Sequence, residues 1–337
     1  MPRPRRRRPV VTSLLLAAGL ALAGCGTGDE EADAGPDEAD RAADAETDAD
    51  TPDDADTDGD EEPATTDPST EPSGGATTTA SGDEAADNSG DGGRAASEPY
   101  SGALVPEIVA TYPHDTGAFT QGLEWYGDRL LESTGLLEES SLRLVDPVTG
   151  QAEVVVDVAD ELFAEGVTVV DGEALQLTWQ NETLLVSDLD RLGVDGSTSR
   201  SDGAYDGEGW GLCYDGSSLA MSDGTSQLEF RDPVTFEVER SVAVTLDGAP
   251  VDQLNELECV GDQVWANVWL TNRIVAIDAA TGEVEATVDA SSLEPAGVTA
   301  GNDVLNGIAY HHDTGRFWLT GKRWPVLYEV NLVPADG

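Results

Sequence analysis

From Tyr100 to the C-terminus the apolar residues come in short runs. Val, Leu, Ile, Trp and Thr cluster over a few positions, and Asp-Gly, Gly-Asp or Thr-Gly pairs cut the runs apart. This pattern predicts short β-strands joined by tight turns, and no segment sustains the 3.6-residue period of a helix. The turns recur at Gly127-Asp128, Asp171-Gly172, Asp215-Gly216, Gly261-Asp262 and Thr314-Gly315, in steps of about 44, 44, 46 and 53 residues. A second landmark comes roughly 17 residues after each turn. It reads Val145-Asp146-Pro147 with Thr149-Gly150, then Ser187-Asp188, Arg231-Asp232-Pro233, and Ile277-Asp278 with Thr281-Gly282. Four short strands per unit at such a period predict an all-β, five-bladed β-propeller over 100–337, with other blade counts as the alternative. A β-sandwich, the other all-β solution, has no such self-similarity.

Superposing the units predicts which residues share a position. The strand before each turn begins Phe119-Thr120-Gln121-Gly122-Leu123, Phe163-Ala164-Glu165-Gly166-Val167, Gly209-Trp210-Gly211-Leu212, Leu254-Asn255-Glu256-Leu257 and Leu305-Asn306-Gly307-Ile308. In a closed ring, Gln121, Glu165, Trp210, Asn255 and Asn306 then face a common axis. The end of the next strand offers a second ring with Trp179, Trp269 and Lys322. Lys322 is the only Lys in the chain; the other bases are Arg. A compact ammonium whose pKa moves on burial suits chemistry that a guanidinium does not.

The region before Tyr100 changes the picture of where the protein works. Arg5 to Arg8 precede an apolar run of about 14 residues, Val10 to Ala23, which ends in Leu22-Ala23-Gly24-Cys25. The run is too short to span a bilayer but suits a signal segment. The expectation is a lipoprotein signal peptide over 1–24, with Cys25 taking the lipid. An ordinary secretory signal with an incidental Cys is the alternative, and the Arg pairs permit a twin-arginine route. Residues 25–99 are expected to be an acidic, disordered tether: 26–98 holds 25 Asp and Glu against two Arg and no large apolar residue. Such a chain reaches about 50 Å. The expected location is extracytoplasmic, anchored to the membrane through the lipid.

Charge excludes some partners. With a formal net charge of −50 the chain is a poor ligand for nucleic acid or for anionic lipid surfaces. Three Cys are too few for a disulfide scaffold or a four-Cys zinc site. Cys213 and Cys259 lie at similar depth in neighbouring units, and a disulfide and two buried thiols are equally compatible with the sequence. His114, His311 and His312 fall in expected loops, and His311-His312-Asp313 reads as a turn tip rather than a metal pair. No catalytic metal and no cofactor are expected, and a closed acidic ring suggests a monomer.

The motifs also resemble a known family. The five first-strand motifs, with Glu132-Ser133-Thr134-Gly135, Ser140-Ser141-Leu142-Arg143, Gly207-Glu208-Gly209-Trp210, Trp265-Ala266-Asn267-Val268-Trp269 and Leu319-Thr320-Gly321-Lys322-Arg323-Trp324-Pro325, resemble the plant-type glutaminyl-peptide cyclotransferases over nearly all of 105–333. The resemblance implies a five-bladed propeller. It implies an aminoacyltransferase that converts N-terminal glutamine of peptides to pyroglutamate, releases ammonia and uses no catalytic zinc. It carries the site onto Phe119, Gln121, Phe163, Glu165, Trp179, Trp210, Asn255, Trp269 and Lys322. Ala164 and Cys259 depart from the pattern without removing a catalytic group.

On that basis Glu165 is expected to shuttle the proton, with Asn255 and Lys322 stabilising the oxyanion and the Trp210 indole N–H helping. Gln121 is expected to hold the substrate, with Phe119, Phe163, Trp179 and Trp269 as its walls. The alternatives are a propeller that binds peptides or an envelope protein without turnover, and a calcium-centred lactonase or hydrolase.

Overall fold

The computed structural model describes residues 99–194, 200–298, 301 and 303–335. The expected signal segment, Cys25 and all of the tether but Pro99 lie outside the described residues. The regular structure within them is β-strand, apart from two one-turn 3₁₀ helices at Leu189–Arg191 and Ser291–Leu293.

The first strand, β1 (Gly102–Pro113), stands outside the run of consecutive meanders. β2 (Thr120–Tyr126), β3 (Arg129–Thr134), β4 (Ser141–Val145) and β5 (Ala152–Asp157) make one antiparallel meander. β6 (Ala164–Val170), β7 (Glu173–Thr178), β8 (Thr183–Asp188) and β9 (Arg200–Ala204) make the second, and β10 (Leu212–Tyr214), β11 (Leu219–Met221), β12 (Gln227–Arg231) and β13 (Val238–Ala243) the third. A small hairpin, β14 (Thr245–Leu246) and β15 (Ala249–Pro250), comes next. β16 (Leu254–Val260), β17 (Gln263–Val268), β18 (Arg273–Asp278) and β19 (Val284–Asp289) form the fourth meander. The fifth has three strands in sequence, β20 (Leu305–His311), β21 (Arg316–Gly321) and β22 (Val326–Pro334), and takes β1 as its fourth. The start of β1 also pairs parallel with β19 at Gly102–Leu104, so the last two meanders form one eight-stranded sheet.

In the first, third and fourth meanders the first strand is more buried than the fourth. β2, β6, β16 and β20 begin with four or more buried residues, whereas β5 and β13 are mostly exposed. The first strands pack against one another in order, and β20 returns to β2. Second strands such as β7 and β17 are covered on both faces, which is why Ala174 to Thr178 and Gln263 to Val268 read as almost unbroken buried runs. The predicted turns join first to second strands. The second landmark is an Asx turn before the fourth strand: Asp146 Oδ1 accepts the N–H of Val148 (2.9 Å) and Thr149 (2.8 Å). Asp232 and Asp278 repeat it.

Two features tie the first strands together. Cys213 of β10 and Cys259 of β16 form a disulfide with Cα atoms 5.5 Å apart, which closes the question the sequence leaves open. Glu256 stands where the other units have Gly122, Gly166, Gly211 and Gly307. Its buried carboxylate accepts the N–H of Leu123 (3.2 Å) and of Ile308 (2.8 Å), linking β16 to β2 and β20.

Candidate active site

Four of the five first strands break their ladder at the position the repeat singled out. The pairing register shifts between Thr120 and Gly122, Ala164 and Val167, Leu254 and Leu257, and Leu305 and Ile308. A bulge re-aims the residue it releases, so Gln121, Glu165, Asn255 and Asn306 leave the sheets at equivalent points, and all four are buried. The following glycine is needed for space: a Cβ on Gly166 would lie 2.6 Å from the Trp210 carbonyl oxygen, to which Gly166 N–H donates at 2.7 Å. The Glu165 carbonyl accepts the Ser133 hydroxyl, itself bonded to Gln176. Glu165 is thus pinned from the units on both sides.

Three of the five first-ring groups form one hydrogen-bonded chain. Asn306 Nδ2 donates to the Thr120 carbonyl (2.9 Å) and to Gln121 Oε1 (3.4 Å), and Gln121 Nε2 donates to Glu165 Oε1 (3.1 Å). Asn255 Oδ1 is buried and has no hydrogen-bond partner among the described residues, so it is an acceptor awaiting a donor.

The second ring has a backbone device of its own. The residue after each second-ring position has positive φ: Leu136 (87°), Gln180 (56°), Gly224 (83°), Leu270 (59°) and Arg323 (56°). Four of these are not glycine, and such strain persists only where the surroundings fix it. Trp179, Trp269 and Lys322 stand immediately before the positive-φ residue in the second, fourth and fifth units. The Lys322 segment is held by Lys322 N–H to Val304 O (2.9 Å), Arg323 N–H to Ala118 O (2.7 Å) and Trp324 Nε1–H to Asp303 O (3.0 Å).

Aromatic contacts link the two rings. Lys322 Nζ lies 4.8 Å from the Phe119 centroid, Phe119 meets Phe163 edge-on at 6.2 Å, and Phe163 meets Trp179 at 5.7 Å. Trp210 meets Trp269 at 5.4 Å. Glu208 joins the two halves, accepting the indole N–H of Trp179 (2.8 Å) and of Trp210 (3.0 Å). The Trp210 N–H expected to help an oxyanion is therefore engaged by Glu208.

The electrostatics centre on Glu165 and Lys322. Burial lifts the Glu165 carboxyl well above the usual range, Lys322 pulls it back and Glu208 pushes it up further. Burial pushes the Lys322 ammonium down to about 8, against the pull of Glu165. A buried acid shifted up beside a buried base shifted down is the arrangement acid–base chemistry uses.

Of the nine residues the sequence nominates, eight are joined through these contacts or through the field between Glu165 and Lys322. Asn255 is tied by its backbone, its carbonyl accepting the Ser222 hydroxyl at 2.7 Å. Sequence reasoning missed Glu208, whose only signal was its place in the Gly207-Glu208-Gly209-Trp210 motif. It also missed His114. That ring is buried against Trp324 O (2.8 Å) and Glu132 Oε1 (3.0 Å), beneath the Lys322 segment, and is not a loop bystander.

With this geometry in place, comparison with known proteins is decisive. The family profile described as glutamine cyclotransferase matches residues 84–332. The chain belongs to the glutamine cyclotransferase family. Among relatives of this cyclotransferase, a glutaminyl-peptide cyclotransferase of Arabidopsis thaliana is 40% identical over 234 residues, covering 68% of this chain and 72% of the relative. The crystal structure of Myxococcus xanthus glutaminyl cyclase superposes with a TM-score of 0.64 at 38% identity, covering 69% of this chain and 99% of that one.

Proposed function

We propose that the cyclotransferase converts the N-terminal glutamine of peptides and proteins to pyroglutamate and releases ammonia. The observation that carries this is the buried Glu165 carboxyl, held by the Asn306–Gln121 chain and opposed by Lys322. The substrate α-amine attacks its own γ-carboxamide carbon. As the ring N–C bond forms, that nitrogen sheds one proton to Glu165. Glu165 returns a proton to the carboxamide nitrogen, the old C–N bond breaks, and ammonia leaves with Glu165 as it began. Lys322 and the Asn255 carboxamide stabilise the oxyanion between these steps. Gln121 orients the substrate amide, and Phe119, Phe163, Trp179, Trp210 and Trp269 wall off water and hold the side chain folded back on the amine.

The five meanders are read as blades of a five-bladed propeller. The ordered packing of first strands and the return of β20 to β2 support that reading. The reaction is read as zinc-independent, because the site offers two carboxyls, Glu165 and Glu208, with carboxamides, indoles and an ammonium rather than a His/Cys set. The chain is read as a signal peptide (1–24), a lipidated Cys25 with its tether (25–99) and a monomeric catalytic body (100–337). The disulfide supports an extracytoplasmic place, and incorporation of labelled fatty acid that Cys25→Ser abolishes tests the anchor. The deciding assay is ammonia release from a glutaminyl dipeptide with and without EDTA. Release that survives EDTA is expected. Saturable binding without release favours the peptide-binding reading, and release lost in EDTA a metal-centred one.

A further inference from the structure

Glu208 does more than an indole wall requires. Its Oε2 accepts both indole N–H groups, and its Oε1 accepts Gln180 Nε2 at 3.0 Å. Its segment is clamped to the strand that carries Trp179. The Tyr205 hydroxyl donates to Thr178 O (2.6 Å) and accepts from Thr178 N (3.0 Å), and it lies so close to Gly209 that no Cβ fits there. A main-chain carbonyl would satisfy an indole N–H equally well. A carboxylate adds a fixed negative charge at the half-buried edge of an aromatic site. Glu165 and Lys322 offset each other, and Arg323 is drawn to Asp303 at 3.7 Å. Among the described residues the Glu208 charge is left without a cation. A glutaminyl N-terminus supplies one, because an α-amine is largely protonated near neutral pH.

We infer that Glu208 is a specificity-determining residue that receives the α-ammonium of the incoming peptide, with Trp179 and Trp210 holding its carboxylate at the mouth of the site. This rests on the cyclotransferase reading. The ammonium docks against Glu208 and gives up its proton to solvent, and the neutral amine then attacks with Glu165 still free to take the ring nitrogen's proton.

The test uses two dipeptides that cannot cyclise, so it is independent of turnover. A norleucyl dipeptide carries the ammonium; a pyroglutamyl dipeptide, the product form, does not. Calorimetric Kd values are taken for wild type, Glu208→Gln and Trp179→Phe. Glu208→Gln keeps an oxygen for the indoles and loses the charge. It should weaken the norleucyl peptide about tenfold and leave the pyroglutamyl peptide within about twofold. Trp179→Phe removes one donor and keeps the charge, so it should leave the ratio of the two affinities near wild type. Equal weakening of both peptides by Glu208→Gln, or no weakening of either, overturns the assignment. If Glu208→Gln does not fold, collapse of the ratio in Trp179→Phe overturns it, and a preserved ratio upholds it. A wild-type chain that binds both peptides but releases no ammonia from a glutaminyl one would sink the reaction and leave this ratio still readable.

Discussion

Glu165→Gln conserves the size of the side chain and its contact with Gln121, and removes the one group able to carry a proton between the two substrate nitrogens. Its kcat for ammonia release should fall by about 10²–10⁴, with KM within a few-fold. Retained kcat would refute the shuttle. Lys322 is a separate test because its charge titrates in the working range. Its ammonium, pushed down to about 8, is lost as pH rises through that value, so kcat should decline on an alkaline limb near pH 8. Lys322→Arg stays charged throughout and should abolish the limb while lowering kcat, since a planar fork does not replace a point charge. Lys322→Ala should cost about 2–4 kcal/mol of transition-state stabilisation. A limb that persists in Lys322→Arg would show that Lys322 is not the group that titrates there.

At the scale of elements, the pair that supports Lys322 makes stability depend on pH in two directions. Burial alone would push His114 down, but Glu132 and the Trp324 carbonyl lift it above its ordinary value. Burial alone would raise Glu132, but His114, Arg143 and Thr120 hold it below. The depressed carboxyl adds stability that is fully present above its unfolded pKa of 4.5 and is lost as pH falls through the folded value. The raised imidazole adds stability that is fully present below its unfolded pKa of 6.5 and is lost as pH rises through the folded value. The contribution is therefore complete only between those two values. Denaturant unfolding of wild type and Glu132→Gln should differ by about 3 kcal/mol inside that window and by less on either side. A pH-independent difference would mean the pair is not ionised. None of this was legible in the sequence. His114 sits in a Pro113-His114-Asp115 stretch that reads as loop, and its partner Glu132 lies on a strand whose alternation suggests only a buried face. Glu208 and Glu256 were hidden for the same reason: an acid in an acid-rich chain carries no local mark of burial. The first-ring residues were legible because they stand at one phase of a repeat, and bulges keep that phase in the backbone.

For the whole molecule, the repeat period in the sequence located the turns, the inner strands and the Asx landmarks, since each unit must bury the same faces. The pairing that joins the start of the body to its end was not legible, because it joins residues more than 200 positions apart that belong to no common unit. The strand β1 supplies it. It runs antiparallel to β22 from Leu104 opposite Pro334 to Pro113 opposite Val326, and its start adds a parallel edge to β19. Leu104 is buried in the core of the last meander, and Tyr112 stacks on Trp318 at 4.8 Å. A chain that begins at residue 99 keeps all of this. It should unfold within a few degrees of the full-length protein and turn over at the same rate. A chain that begins at residue 114 lacks β1 and leaves two open edges, on β19 and β22. Open edges template aggregation, and the lost pairing removes the closure that lets every unit bury both faces of its middle strands. That shorter chain should lose its single cooperative thermal transition, and its ammonia release should fall with it, although every residue of the proposed site is still present. Full activity and an unchanged transition in the 114–337 chain would show that the axis is held without closure, with the disulfide and the Glu256 carboxylate doing the tying from within.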